Sequence, residues 1–375
     1  LFSKAGTISQ KQNQISQELD LYLASKSSSS QAEGHIAILT GFAPTENRAN
    51  VTNFIDSTGA YYIIDQAKEE DNPPVKLKNG FFSRLYEPIG ELYMLPKYGE
   101  RDLTPYFAPF YMLFFGLCLG DMGYGLVLLI GAALAKLKFK EYRNYLTLIQ
   151  FLGLGAVLMA ALPGVIFGTK INEILPLSDN IKNIFFSDLK MFWFAIIFGL
   201  FQIIVAKLIN AIDLIKNKGL TYGFNSIGWI ILIIWGGFKY ASTMVDSLNI
   251  PQFYNYVALA ALLMIVLFSS DSKNPFARLG MGAIALYHVT SIFGDMLSYI
   301  RLFGLGTAGA ILGMVVNSVA LSMTGIPYVG WIFTIIMLLF GHVAVLLLSS
   351  LGAFVHPMRL TFVEFYKNAE FSGGG

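Results

Sequence analysis

One arginine stands where a charged side chain is costly, in the middle of a long apolar stretch. Arg301 lies in SIFGDMLSYIRLFGLGTAGAILGMVVNSVA, inside an apolar span that covers residues 284–322. A guanidinium stays protonated, and its insertion at the centre of a bilayer costs about 3 kcal/mol on insertion scales. Something must compensate that cost. A fixed cation at this depth could hold a carboxylate in its ionised form and repel mobile cations.

The chain itself offers a counter-ion for Arg301 in Asp295, which lies in the same span. Six residues along an α-helix correspond to a rotation of about 600°, or about 240° after a full turn, so the two side chains point to different faces. Two interpretations stay open: a structural arginine paired within its own chain, and an arginine that meets a charge on another molecule.

A second arginine, Arg359, lies near the end of the last span, in AFVHPMRLTFVEFYKNAEF. Snorkelling of its charge to lipid headgroups explains it as well as a role in ion transfer does. Pro357 should kink the helix and free backbone groups, which favours a polar, hydrated segment. Glu364 follows Arg359 by five residues, which is too far round an ideal helix for a side-chain pair.

Several further polar side chains at membrane depth could hold water or relay ions. These candidates are Asp295, His288, His342, Asn317, Glu364, His356, Ser298 and Asp121. A lone histidine in a helix is more often simply hydrogen-bonded. Asp121, in GDMGYG, has an ordinary structural role as its alternative, that of a helix cap.

Small residues surround Arg301 along its span. They are Gly294, Ser298, Gly304, Thr307, Ala308 and the GxxxG pair Gly309 and Gly313. Such residues let another helix approach closely, so a static helix contact is one interpretation. A smooth surface past which a partner slides is the other.

Motifs for hydrolysis or nucleotide binding are missing from the sequence. It contains no G-x-x-x-x-G-K-[ST], no H-E-x-x-H and no G-x-S-x-G. Its one cysteine, Cys118, allows neither an intrachain disulfide nor a thiolate metal cluster. We therefore expect no catalytic residue, no cofactor and no metal site in this chain.

The composition places most of the chain in lipid. Of the 375 residues, 55% are hydrophobic and only 13% charged, about half the charge of an ordinary soluble domain, which excludes a wholly soluble or a disordered protein. No tract is basic enough to indicate nucleic-acid binding. Eight apolar spans follow Pro105, at 105–119, 122–137, 145–168, 191–212, 222–244, 252–269, 284–322 and 329–360.

These spans are too long and too continuously apolar for barrel strands, so they predict helices. At about 1.5 Å per residue the last two would run about 58 Å and about 48 Å, against about 30 Å of hydrocarbon, so each must tilt, break or project. The sequence predicts a mainly α fold: a polytopic membrane domain of about eight transmembrane helices, the last two long and tilted, with a small cytosolic α/β lobe.

We place the lobe at 1–104 and the integral membrane ion-translocation domain at 105–375. Within the lobe the pattern predicts one arm of a helical hairpin at 8–24, a strand at 36–42, a helix at 45–56 and a strand at 61–64, a small βαβ-like unit. The lack of an initiator Met suggests a fragment.

Loop charges give the orientation. With the lobe in the cytosol, the cytosolic segments hold Lys136, Lys138, Lys140, Arg143, Lys207, Lys216, Lys218, Lys273, Arg278 and Lys367. Outside, one long segment holds Lys170, Lys182 and Lys190, while 245–251 and 323–328 hold no Lys or Arg. The positive-inside rule places both termini in the cytosol.

Four ordered motifs resemble one protein family. They are ILTGFAP (38–44), PYFAPFYMLFFGLCLGDMGYG (105–125), LSYIRLFGLG (297–306) and HPMRLTFVEFYKNAEFSGGG (356–375). Together they resemble subunit a, also called subunit I, of V-type and archaeal or bacterial V/A-type rotary ATPases. The resemblance covers the membrane part and the end of the cytosolic domain.

The resemblance implies a non-catalytic stator of an ATP-driven translocase of H⁺ or Na⁺, in which other subunits hydrolyse ATP. Its membrane domain would form two offset half-channels against a rotating ring of proteolipid subunits that carry ion-binding carboxylates. Arg301 falls on the family's essential arginine and Arg359 on a second arginine that faces the ring. Ser349 and Tyr287 stand where some relatives carry an acid.

The implied partners are the proteolipid ring, peripheral-stalk subunits, a central-stalk rotor subunit, the soluble ATPase head and the lipid membrane. A multi-pass protein of a prokaryotic plasma membrane is favoured over one of a eukaryotic endomembrane. The competing class is a self-contained secondary ion transporter or channel, against which the sequence shows no inverted repeat.

Overall fold

The computed structural model describes residues 2–27, 29–31, 36–174, 176, 178, 182–244, 251, 253–269 and 275–374. The chain divides into two compact units, one that ends at Lys76 and one from Leu77 to Gly374. The second unit therefore includes residues 77–104, which precede the first apolar span. The proposed membrane boundary at residue 105 is a separate matter and stays a prediction.

The first unit contains α1 (Phe2–Ser27), β1 (Ser29–Gln31), β2 (Ile36–Ile38) and α2 (Arg48–Thr58). β1 and β2 pair antiparallel, so the βαβ-like arrangement expected from the sequence is wrong. Residues 61–64 form no strand, because no described segment pairs with them and Tyr61 is 93% exposed. The lobe keeps its α/β character through the short β1–β2 sheet and α2.

The second unit is built almost wholly of helices. They are α3 (Phe81–Glu91), α4 (Thr104–Leu119), α5 (Met122–Lys138), α6 (Arg143–Ala160), α7 (Ile171–Ile174), α8 (Asp188–Lys218), α9 (Leu220–Met244), α10 (Phe253–Phe268), α11 (Pro275–Leu286), α12 (His288–Ser322), α13 (Gly330–Arg359) and α14 (Tyr366–Asn368). A two-residue hairpin, β3 (Val165–Ile166) with β4 (Thr169–Lys170), follows α6.

In the part of the chain that the structure describes, five helical segments are long and apolar enough to cross a membrane. They are Arg143–Ala160, Asp188–Lys218, Leu220–Thr243, Gly280–Gly325 and Gly330–Asn368, and the shorter apolar helices include Thr104–Leu119 and Phe253–Phe268. Each of the eight predicted spans contains a helix. The prediction of a mainly α membrane protein is confirmed.

The span 284–322 breaks once, because α11 ends at Leu286 and α12 begins at His288. α12 then runs for 35 residues and α13 for 30, or about 52 Å and about 45 Å at about 1.5 Å per residue. Both helices are longer than the hydrocarbon thickness of about 30 Å, which is the reason to expect a steep tilt. The tilt itself stays a prediction.

Close helix packing depends on glycines that a side chain could not replace. A Cβ at Gly116 of α4 would lie 2.2 Å from the carbonyl oxygen of Gly155 in α6. Likewise, a Cβ at Gly153 would lie 2.8 Å from the backbone nitrogen of Leu129 in α5. These backbones touch directly, which fixes α4, α5 and α6 as a rigid group.

The helix α3 packs its apolar face on the membrane helices. Leu85, Tyr86, Ile89 and Gly90 are buried, and the Tyr86 ring lies 6.0 Å from that of Tyr111 in α4. Burial raises the pKa of the Tyr86 phenol well above its ordinary value. This packing explains why residues 77–104 belong to the second unit.

Candidate functional site around Arg301

Arg301 lies on the exposed face of α12. Among the described residues no hydrogen bond or ion pair reaches its guanidinium. A Cβ added at Gly294 or Gly304 of the same helix would meet nothing within 4 Å, and Leu297 is 67% exposed. The arginine therefore projects from a stripe that no described residue covers.

Asp295 is engaged elsewhere. Its Oδ1 accepts a hydrogen bond from Lys367 Nζ at 2.6 Å, and its Oδ2 accepts one from Asn368 Nδ2 at 3.0 Å. Lys367 Nζ also donates to Ser291 Oγ at 3.0 Å. The alternative in which Asp295 neutralises Arg301 is therefore wrong, because this carboxylate already has two donors from the C-terminal segment.

The small residues of α12 divide between two faces. Gly294, Gly304 and Ala308 are exposed beside Arg301. By contrast, Gly309 and Gly313 are buried, and a Cβ at Gly313 would lie 2.9 Å from Gly168 Cα. The GxxxG pair thus serves a static backbone contact, whereas the residues around Arg301 leave a smooth open surface.

Arg359 is exposed at the end of α13, and no described residue pairs with it. The helix runs through Pro357 and widens only afterwards, into a π-helix over Leu360–Phe365. Glu364 belongs to this π-helix and lies within electrostatic reach of Arg359. His356 lies within electrostatic reach of both Arg301 and Arg359.

Glu364 is a buried carboxylate that is only partly satisfied. It is 1% exposed, and its Oε2 has no hydrogen-bond partner. Its nearest polar neighbours include the Ser298 hydroxyl and the Asp295 carboxylate. Asn368 links the acids, since its Nδ2 donates to Asp295 and to the Glu364 carbonyl oxygen at 2.8 Å. We name Asp295, Ser298, Glu364, Lys367 and Asn368 the near cluster.

A second polar group lies toward the other end of α12. Asn317 Nδ2 donates to the Phe167 carbonyl at 2.7 Å and to Thr169 Oγ1 at 3.2 Å. Its Oδ1 therefore faces His342 Nε2, at 2.9 Å, and must accept from it. His342 Nδ1 lies 2.8 Å from Tyr124 Oη. We name Tyr124, Thr169, Asn317 and His342 the far cluster.

Asp121 caps α5 and anchors the β3–β4 hairpin. Its Oδ1 accepts from the backbone N–H groups of Tyr124 at 3.2 Å and Phe167 at 2.9 Å, while its Oδ2 accepts from Gly168 N–H at 2.6 Å. The side chain is fully buried. The capping role weighed from the sequence is the one that the structure shows, and Asp121 also fixes the hairpin turn.

The two clusters lie at different levels of the same helix. Asp295 and Asn317 are about 33 Å apart along α12 at about 1.5 Å per residue, and Arg301 lies between them. His288 is exposed at the first residue of α12 and belongs to neither cluster. Within the described residues no three His, Cys, Asp or Glu side chains converge as a metal site.

Comparison with curated proteins finds relatives over most of the chain. V-type ATP synthase subunit I of Borreliella burgdorferi is 28% identical over 355 residues, which cover 89% of this chain and 58% of that protein. A-type ATP synthase subunit I of Methanocaldococcus jannaschii is 29% identical over 379 residues, or 90% and 54%. Its counterpart in Pyrococcus horikoshii is 30% identical over 328 residues, or 84% and 48%.

The chain is a homologue of these I subunits. The resemblance drawn from the four motifs is thereby confirmed. No family model matches the chain. The chain spans about half the length of the curated I subunits that it matches, between 48% and 58% for the three named above.

Sequence reasoning missed several members of the two clusters of this subunit I homologue. Lys367 and Asn368 are far from Asp295 in the chain, and Lys367 was interpreted only as a loop charge. Their position in YKNAEF, just after the Arg359 segment, was the available signal. Tyr124 was available as the aromatic residue of GDMGYG.

Proposed function

We propose that this chain is the membrane stator subunit of a rotary ATPase that translocates H⁺ or Na⁺. The observation that carries the proposal is Arg301, an exposed cation with which no described residue pairs, on a helix that is apolar enough to cross a membrane. The similarity to ATP synthase I subunits supports the same conclusion.

Arg301 acts on a carboxylate carried by a neighbouring, rotating ring of proteolipid subunits. A carboxylate that moves through hydrocarbon must be neutral, with its ion bound, because burial of an unpaired charge is very costly. Opposite a guanidinium in a medium of low dielectric constant, the ionised form is favoured. The ring carboxylate therefore releases its ion when it reaches Arg301.

The near and far clusters supply two offset half-channels on opposite sides of Arg301. The near cluster brings ions to one membrane surface through Asp295, Ser298 and Glu364, of which Glu364 has an unpartnered oxygen. At the other end, His342 and Asn317 provide a hydrogen-bonded path. Neither path passes Arg301, so ions must travel around the ring.

Arg301 also closes the direct route between the half-channels by repelling cations. Without this barrier the membrane potential would drive a leak, because each elementary charge moved through 100 mV is worth about 2.3 kcal/mol. Arg359 has a supporting role. Its charge and that of Arg301 both act on His356.

The partners follow from this role. They are the proteolipid ring, peripheral-stalk subunits that hold the stator, a central-stalk rotor subunit, and a soluble head that hydrolyses ATP, so that this chain itself catalyses nothing. We place both termini in the cytosol because the basic residues concentrate in the corresponding loops. The bacterial and archaeal relatives support a prokaryotic plasma membrane.

Substitution of Arg301 in the whole complex tests the function. Arg301→Gln should abolish ATP-driven ion uptake into vesicles while the complex still assembles. Lys239→Gln, which removes an exposed cation from α9, is the matched control and should leave uptake unchanged. Normal uptake by the Arg301 variant would refute the proposal. Ion flux through the chain reconstituted without any proteolipid would favour a self-contained transporter.

A further inference from the structure

An open groove of about 690 Å³ runs between α3, α6 and α13, and its lining includes no residue of α12, the helix that carries Arg301. Its volume lies in the range of small-molecule sites, about 300–1,000 Å³. The residues that line it are Pro88, Ile89, Glu91, Leu92, Phe115, Leu128, Tyr145, Leu148, Ile149, Leu152, Ser350 and Phe354.

The body of the groove suits a hydrocarbon chain. Its floor is built from side chains that are almost fully buried, such as Phe115 and Leu152, while Leu92 and Ile149 stand as exposed walls. From Tyr145 to Leu152 the groove follows α6 for about 10 Å at about 1.5 Å per residue. An open apolar groove of this kind can take the hydrocarbon chain of a lipid.

One acidic residue lines the groove, and basic residues precede another of its lining residues in the chain. Glu91, at the end of α3, lines it and is exposed. Tyr145, which also lines it, follows the exposed basic residues Lys138 at the end of α5, Lys140 in the connection, and Arg143 at the start of α6. Tyrosine is enriched at membrane–water interfaces, where lipid headgroups lie, so Tyr145 is consistent with an interfacial position of this end of the groove.

We propose that this groove binds the acyl chain of an aminophospholipid, with phosphatidylethanolamine as the lipid. Its phosphate would face the basic connection before α6, since such clusters attract lipid phosphates. Its primary ammonium would donate N–H hydrogen bonds to the Glu91 carboxylate. Phosphatidylcholine lacks those donors, and phosphatidylglycerol lacks the cation, so the pair of charges selects the ethanolamine headgroup.

Lipid retention tests the proposal on the intact chain or complex. The protein is placed in bilayer nanodiscs of phosphatidylethanolamine, phosphatidylcholine and phosphatidylglycerol in equal parts, and the lipids that stay bound are identified by native mass spectrometry. We expect one retained phosphatidylethanolamine, at least several-fold in excess over the other two. Equal retention of the three lipids would overturn the assignment of the headgroup.

Matched variants separate the groove from the rest of the lipid surface. Ile149→Trp fills the groove and should abolish retention, whereas Leu154→Trp, at a similarly exposed position on α6 outside the groove, should not. Glu91→Gln should equalise phosphatidylethanolamine and phosphatidylcholine, and Glu141→Gln, in the loop before α6, should not. Retention that is unchanged in Ile149→Trp and in Glu91→Gln would contradict the proposal.

A second measurement needs no variant. Phosphatidylethanolamine with a photoreactive diazirine in its acyl chain should label the peptides that contain Leu148–Leu152 and Ser350–Phe354. Labelling spread evenly over the exposed apolar helices would contradict a groove site. Cross-linking of the same residues to another protein subunit would show that a protein, not a lipid, covers the groove.

Discussion

Lys367 and Asp295 form an ion pair of 2.6 Å that joins the C-terminal segment to α12. The pair neutralises Asp295, the acid of α12 that precedes Arg301 by six residues. It thereby leaves Arg301 without a counter-ion from its own helix. Arg301 points outward and Asp295 inward because the two positions are about 240° apart around the helix.

Loss of Lys367 should destabilise the protein. Lys367→Met leaves a carboxylate with only 7% of its side chain exposed next to one remaining donor, Asn368. Because Lys367 is itself half-exposed, we expect a loss of about 1–3 kcal/mol in the free energy of unfolding. Thermal unfolding in detergent measures it.

The double variant provides the control for this pair. Asp295→Asn together with Lys367→Met should recover most of the loss, since the neutral amide needs no counter-ion and still accepts from Asn368. A double variant as unstable as Lys367→Met alone would show that the lysine stabilises the protein in another way.

Two glycines of α12 should respond oppositely to substitution. Gly306→Ala places a Cβ 2.2 Å from the Leu117 carbonyl oxygen, so overpacking should cost about 1–3 kcal/mol of stability. A Cβ at Gly304 meets no described atom within 4 Å, so Gly304→Leu should leave stability within about 0.5 kcal/mol. It should nevertheless reduce ATP-driven transport, because the side chain obstructs a sliding partner. Normal transport in Gly304→Leu would argue against a sliding surface.

Asp121, which anchors the β3–β4 hairpin beside the far cluster, should be important for stability. Asp121→Ala leaves the buried N–H of Gly168 without its acceptor, at about 1–3 kcal/mol, and also removes the acceptor of the part-buried Phe167 N–H. Hydrogen exchange at these two amides should accelerate strongly. Asp188→Ala, which removes an exposed acid from the start of α8, should change neither exchange nor the unfolding temperature appreciably. Unchanged exchange in the Asp121 variant would contradict the assigned anchor.

The two arginines should differ in severity. Arg301→Ala removes the charge from the middle of α12, whereas Arg359→Ala removes one from the end of α13. We expect a complete loss of coupled transport in the first variant and a partial loss in the second, measured as ion uptake per ATP hydrolysed. Equal severity would mean that Arg359 has the same role as Arg301.

The sequence predicted the helices well because length and apolar composition alone decide which segments can cross a membrane. It also placed Arg301 and Asp295 on different faces correctly, since that follows from helical rotation. Residues 61–64 were misassigned to a strand, because a strand exists only with a partner and no described segment pairs with them.

What the sequence could not supply are contacts between distant segments. The β3–β4 turn uses Phe167 and Gly168, both with positive φ, in place of the Asn-Gly typical of such turns, and it is held by Asp121 from another part of the chain. The π-helix after Arg359, which contains Glu364, was likewise not foreseen.

The most direct test of the account is a structure of the intact complex in its membrane, in which the surroundings of the Arg301 guanidinium are measured. The account predicts that the nearest carboxylate, at salt-bridge distance of about 4 Å or less, belongs to a proteolipid subunit of the ring. An Arg301 paired with an acid of its own chain, remote from every other subunit, would contradict it.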